Sequence, residues 1–290
     1  MTSLSGQVQS LREHRAATAR EFAGLAVEQL TCRAALGERQ SDVRHVLLRL
    51  ADADDERRAA LGPIYAALGW QQSEAQRILG TAAEVRGQDL AQLVGLPDDY
   101  LGRVAWEGEW SIGQILDHVR VVEEAYLAQT AYAVERYHDP ALPAQMPADR
   151  LPPRPAGGPI SPPALGPALA RLVAVRAELV ARLAGLTPEE LGAPSSYGRM
   201  EVTVRFRMHR FASHEREHNA QIAKTLVALG WGPTEAQVIL GYAEISRGAL
   251  EGALVGLPDE LAARSPGVGL LSVQELFARA LAEAARAALG

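Results

Sequence analysis

Cysteine is nearly missing from this chain of 290 residues, with Cys32 the sole example. A lone thiol can form no intrachain disulfide and build no thiolate metal site. Aromatic residues make up only 5%, and β-branched residues are sparse beside Ala, Leu, Arg and Glu. That composition belongs to helices rather than to a sandwich or barrel. A basic excess is also missing: 29 Lys and Arg stand against 35 Asp and Glu, for a net charge of -6. Such a balance argues against nucleic acid as a partner, because non-specific phosphate binding is driven by Lys and Arg. No apolar run approaches the ~20 uncharged residues that span a bilayer. In LARLVAVRAELVARLAGL an Arg or Glu interrupts every few positions. The opening MTSLSGQVQSLREHR has no apolar core of a signal peptide. The expectation is a soluble, cytoplasmic protein with no membrane partner. Its 48% hydrophobic and 22% charged residues rule out wholesale disorder, and its length suits about two domains.

What is present is a repeat. ALGWQQSEAQRILG ends at Gly80, and ALGWGPTEAQVILG ends at Gly241. The same offset of 161 residues carries VGLPDDYL at Val94 onto VGLPDELA at Val255, and WSIGQIL at Trp110 onto LSVQELF at Leu271. No gap is needed between these anchors. Self-similarity at this scale reads as an internal tandem duplication. Between the copies, residues 138–163 form a proline-rich linker. Proline removes backbone donors and disfavours helix, so an extended segment is expected. Either it is a spacer, or it carries the chain from one side of a bundle to another.

Apolar spacing near 3.6 residues predicts helices over Leu4–Leu25, Asp42–Leu68, Ser73–Leu93 and Ser111–Tyr137 in the first half. In the second half it predicts them over Pro163–Ala184, Val204–Leu229, Thr234–Leu254 and Ser272–Ala288. Ser111 with Gln114 forms a capping box; Thr234 and Ser272 suit N-caps, and Gly230 and Gly256 suit C-terminal turns. Eight helices make an all-α fold of two four-helix bundles. MEVTVRF, from Met200, alternates like a short strand and is expected to be an extended lead-in to a helix.

Seven histidines are present. His214 and His218 stand four apart in FASHEREHNAQIAKTL, so one helix face presents both. The stretch is also a literal H-E-x-x-H, the zinc metalloprotease pattern. A downstream third ligand would then be needed. The candidate, Glu235, is matched by Glu74 at the repeat offset, and a residue shared with a copy that lacks the histidine pair reads as structural. A protease would also need a sheet edge, of which the chain offers almost none. Glu215 and Glu217 lie about 100° and 60° from His214 around the helix axis, so both are expected to be solvated. Upstream, GEWSIGQILDHVRVVEEAYL places His118 on a capped amphipathic helix behind Trp106 and Trp110. Trp70 and Trp231 end equivalent helices and read as packing anchors. His14, His45, His138 and His209 read as surface residues.

A Trp-Ser step into a helix with one His, followed about a hundred residues later by H-x-x-x-H and a Gln, resembles the DinB family of four-helix bundle proteins. The resemblance covers about residues 73 to 231. The wider superfamily includes thiol-dependent transferases and a mycothiol-dependent maleylpyruvate isomerase. The resemblance implies a divalent metal ion held by His118, His214 and His218. Imidazole suits zinc, nickel and iron alike. Gln114 and Gln221 lie one turn from His118 and His218. They either orient ligands or substrate, or are buried amides satisfied by a neighbouring helix.

The family-like domain, residues 71–231, straddles the two repeats. Residues 1–70 and 232–290 would then build a second, degenerate bundle from both chain ends. At the repeat offset its three histidine positions are Ala53, Arg57 and Arg279, and a permanent guanidinium charge repels a cation. If each repeat folded alone, His118 would instead meet Ala53 and Arg57. The resemblance implies a metal-dependent transferase or hydrolase acting on a small molecule, with a low-molecular-weight thiol as co-substrate. A non-catalytic metal-binding scaffold is the alternative, and the zinc metalloprotease a third. An internally paired chain could be a monomer with a pseudo-dimer inside it, or a homodimer.

Overall fold

The structure, a computed structural model, describes residues 3–36, 39–153, 157–267 and 269–287. Among the described residues it is mostly helical, with eleven α-helices and two two-stranded hairpins. In chain order the first helices are α1 (Leu4–Phe22), α2 (Val27–Leu30), α3 (Val43–Leu68), α4 (Glu74–Leu93) and α5 (Ile112–His138). They are followed by α6 (Leu165–Leu183), α7 (Pro188–Leu191), α8 (Val204–Ala228), α9 (Glu235–Leu254), α10 (Asp259–Ala263) and α11 (Val273–Ala287). The long helices start where the caps predict. Ser73, Ser111 and Thr234 each close a capping box with a Gln three residues on. The left-handed Gly69 ends α3, and Gly230, also at positive φ, follows α8.

The expected lead-in to α8 is a strand for its first four residues. β1 (Arg33–Leu36) pairs with β2 (Arg39–Asp42), and β3 (Pro194–Tyr197) pairs antiparallel with β4 (Met200–Thr203). The β3–β4 loop has two residues, with Gly198 at φ 59 in its first position, a geometry glycine enters freely. Thr203 then caps α8 through its hydroxyl. The hairpins escaped the sequence pattern because PSSY and RAAL carry no apolar alternation.

Helix α5 packs against α6 and α8, and α8 against α4. Their shared core includes Leu79, Val85, Leu127, Leu179, Met208 and Phe211. At the other end it holds Ile112, Ile115, Leu172 and Ile222. Elsewhere α3 packs on α9, and α1 on α11 and α9, over Leu11, Leu61, Ile64, Leu250 and Phe277. The linker does more than span. It folds back along α5, where Tyr132 donates to the Pro143 carbonyl at 2.7 Å. Further on, the Ile160 amide donates to Asp117 at 3.0 Å, and Ser161 to the Leu101 carbonyl at 3.0 Å. The chain is thereby returned to the start of α5, and α6 runs parallel to it.

Helices α4 and α9 meet through glycine. A Cβ on Gly80 would fall 2.8 Å from the Gly252 carbonyl oxygen, and one on Gly87 2.7 Å from that of Glu244. Several contacts recur with both partners shifted by 161 residues. Arg44 binds Glu235, and Arg205 binds Glu74, each at 2.5 Å. Asp98 accepts from the Leu165 amide at 2.8 Å, and Asp259 from the Leu4 amide at 2.9 Å. Glu235 is thus held in an ion pair, as is its counterpart Glu74. No described helix is long and apolar enough to cross a membrane.

Candidate metal centre

Antiparallel packing of α5 on α8 brings residues from opposite sides of the linker together. His118 projects from α5, and His214 and His218 from successive turns of α8. Their ligand nitrogens lie within 4.8 Å of one another. His214 Nε2 and His218 Nε2 are 3.1 Å apart. The His118 ring centre lies 5.3 Å from that of His214 and 4.8 Å from that of His218. All three side chains are half-buried.

Two features prepare these rings as electron-pair donors. His218 Nδ1 sits 2.9 Å from Gln221 Oε1. An amide oxygen only accepts, so Nδ1 carries the proton and Nε2 turns its lone pair to the centre. For His214, burial pushes the pKa down to about 3, with the neighbouring His218, His118 and Arg210 acting in the same direction. It is a neutral imidazole at pH 7, the form that binds a cation.

Aromatic rings border the site. Trp110 packs 4.6 Å from the His118 ring and stacks 6.5 Å from that of His218. Trp106 is half-exposed beneath the Lys224 ammonium, 5.2 Å from its ring centre. Tyr126 packs 5.6 Å from His214, and its hydroxyl meets that of Tyr197 at 3.0 Å. These two tyrosines were not sequence candidates. The repeat held a signal for them: at the 161-residue offset they correspond to Ala287 and Leu36.

Gln114 is not brought to the histidines. Its Oε1 accepts from the Ser111 amide at 3.0 Å, and its Nε2 donates to the Pro159 carbonyl at 3.3 Å. The cap and the linker use both ends of its amide. Glu215 differs from expectation more sharply. It is 1% exposed, because α8 packs against both α4 and α5 and the 100° turn from His214 points into the interior. Arg86 binds one of its oxygens, and Arg176 holds the other at 2.7 Å. The same arginines grip Glu123, at 2.8 and 2.5 Å. The quartet takes one residue from each of α4, α5, α6 and α8. Glu215 therefore lacks the free carboxylate that a zinc-protease general base requires. Glu217 is exposed as expected and pairs with Arg210 at 2.8 Å.

Asp89, 1% exposed on α4, adjoins this quartet. Burial and the negative charge of Glu215 hold its carboxyl well above the ordinary carboxylate range, so it is a neutral acid. The remaining histidines lie elsewhere: His45 is bonded to Asp42, and His138 to Glu190. His209 lines a shallow recess with Glu74 and Arg77. Trp70 and Trp231 pack on Tyr65 and Tyr100.

Comparison with protein-family models matches residues 10–222 to the DinB superfamily. The match extends further toward the N-terminus than the motif-bearing stretch from residue 73, and it contains all three histidines. Comparisons with curated proteins and with solved structures return no match. With nearly three-quarters of its length covered by the family model, the chain belongs to the DinB superfamily.

Proposed function

We propose that His118, His214 and His218 hold one divalent metal ion, and that the chain is a metal-dependent enzyme of the transferase or hydrolase type acting on a small molecule. The observation that carries this reading is the convergence of three imidazoles within 4.8 Å from two helices separated by the linker. The donor set fits such an ion: His214 is held neutral, and Gln221 fixes the tautomer of His218. Three protein ligands leave a position open, as catalytic rather than structural sites do. When bound, zinc, nickel or iron would supply Lewis acidity toward a carbonyl or thiolate. A low-molecular-weight thiol as co-substrate is suggested by the wider superfamily. Trp110 covers one side of the histidines and limits water there.

We also propose that residues 71–231 form one bundle and residues 1–70 with 232–290 its degenerate counterpart. The reciprocal Arg44–Glu235 and Arg205–Glu74 pairs support this division, since an internal pseudo-twofold relation generates contacts in such pairs. The second bundle has Ala53, Arg57 and Arg279 in place of the histidines, so one ion per chain is expected. Elemental analysis of protein purified without an affinity tag tests both readings. About one divalent ion per chain is expected, lost in His118→Ala, His214→Ala and His218→Ala. Metal-free wild-type protein after exposure to zinc, nickel and iron would overturn the site. A ratio near two would overturn the degeneracy of the second bundle.

A further inference from the structure

The positions 161 residues apart act as an internal control. Whatever both members of a pair retain serves the scaffold, whereas what is lost together with the histidines points to the site. The Arg210–Glu217 ion pair is retained as Arg49–Glu56, with matching bidentate contacts. The Arg176–Glu215 contact is retained as Arg15–Asp54. Tyr126, Gln129, Tyr197 and Arg207 are not retained. Their counterparts are Ala287, Gly290, Leu36 and Val46, which carry no polar side-chain atoms.

Those four residues form one connected arrangement next to His214. Arg207 is buried, and it donates to Ser195 Oγ at 2.6 Å, to Gln129 Oε1 at 2.7 Å and to the Ser196 carbonyl. It thereby ties the β3–β4 hairpin to α5 and α8. The residue after Ser196 is Tyr197, whose hydroxyl is so placed against that of Tyr126. Arg210 approaches the Tyr126 hydroxyl, and its guanidinium lies 5.5 Å from the Tyr197 ring centre. Two phenols that share one mutual hydrogen bond keep one O–H free to donate outward.

We propose that Tyr126 and Tyr197 form a ligand subsite beside the histidines, donating a hydrogen bond to a carbonyl or carboxylate oxygen of the small molecule bound there. The inference rests on the metal reading above and gives it a substrate class. The ligand is an oxygen-bearing compound with one polar group at the histidines and a second oxygen at the phenols. The charge pattern favours this class over a phosphate. Arg210 is already neutralised by Glu217, and Arg207 is spent on the hairpin, so the pair offers a donor rather than the free arginine fork that phosphate recognition uses.

The test uses tag-free, full-length protein loaded with Co²⁺ and titrated with acetate, malonate and succinate, following the visible absorption of the bound cobalt. Wild-type protein should bind one of the dicarboxylates more tightly than acetate. In Tyr197→Phe and Tyr126→Phe that dicarboxylate should bind about tenfold more weakly, the effect of one lost hydrogen bond. Acetate affinity, cobalt content and the thermal midpoint should stay unchanged. Tyr197 lies on the hairpin, so its variant keeps the helical core intact if Tyr126→Phe loosens it. Equal affinities across the three ligands in wild type, or the same preference in both variants at full cobalt content, would overturn the subsite alone. Failure of wild-type protein to take up cobalt would overturn the metal reading and the subsite with it.

Discussion

Replacing the buried Asp89 with Asn should stabilise the protein at neutral pH, and the gain should grow with pH. Asp89 is 1% exposed and adjoins Glu215, which already balances one of two buried arginines. The quartet of Arg86, Arg176, Glu123 and Glu215 is neutral as it stands, so a third carboxylate there would leave an uncompensated negative charge. The folded state avoids this by keeping Asp89 protonated and hydrogen-bonded to Glu215. Here the folded pKa is raised, so the folded state keeps a proton that the unfolded chain gives up above its ordinary carboxyl pKa of 3.8. The stabilisation is complete below that pH and is lost as pH rises toward the folded pKa. Within that window the slope is about -1.4 kcal/mol per pH unit. An asparagine amide presents a donor to Glu215 without a proton to lose, and the slope due to this site disappears. Urea unfolding of wild type and Asp89→Asn at pH 5, 6 and 7 measures the difference directly, because the other carboxyls cancel between the two proteins. The stability difference should move in favour of the variant by about 1.4 kcal/mol per unit over that range. A difference that stays constant with pH, or moves the other way, would refute a neutral Asp89.

Two further outcomes follow from the packing and from the histidines. Gly248→Ala should destabilise the chain by about 1–3 kcal/mol, the usual cost of overpacking. Its new Cβ would fall 2.9 Å from both the Ala83 carbonyl oxygen and the Gly87 Cα. Thermal unfolding checks this, and an unchanged midpoint would mean that α4 and α9 do not approach as described. In metal-free protein, the His214 ring resonances should hold their neutral position from pH 8 to pH 4, since its pKa is pushed down to about 3. The unfolded chain takes up that proton near pH 6.5, so this group makes stability fall as pH drops from 6.5 toward 3. Titration of His214 near pH 6.5 would contradict its desolvation.

The helices were legible because their signals are local. Caps at Ser73, Ser111 and Thr234 and glycines after α3 and α8 mark their ends from a few residues of sequence. The meeting of His118 with His214 and His218 was legible for another reason: i and i+4 on one helix share a face, and the family pattern supplied the third partner. What was not legible depends on which neighbour each helix meets. Nothing in HEREH says that the face bearing Glu215 is turned inward between Arg86 and Arg176, and a charged residue on a charged helix is ordinarily solvated. Gln114 could have been read correctly from its own neighbourhood. Its capping-box position already commits the amide to Ser111, and the same side chain cannot also orient His118. The hairpins were missed because their strands are short, polar and rich in Ala and Ser, so pairing is decided by the Gly198 turn and by Arg207 rather than by an apolar stripe.

The buried ion pairs explain why the histidines could be lost at one set of positions without loss of the bundle. Arg15–Asp54 at 3.2 Å stands where Arg176–Glu215 stands, and Arg247 occupies the place of Arg86. A buried charge pair adds little net stability over an apolar pair, but breaking one member costs about 3–5 kcal/mol because the other is stranded. Once present in a helical bundle, such a pair is therefore hard to remove one substitution at a time. Half-buried imidazoles carry no comparable penalty, because a vacated ring position can still be filled by water or by the stem of an arginine. His218 can thus become Arg57, paired with Asp54 at 2.8 Å, while the ion-paired interior persists. The persistence of the arginine–carboxylate contacts at positions 161 residues apart, beside the loss of every histidine, tyrosine and tryptophan of the site, is the separation this energetics produces. It places the quartet with the scaffold and the open cluster between α5 and α8 with the chemistry.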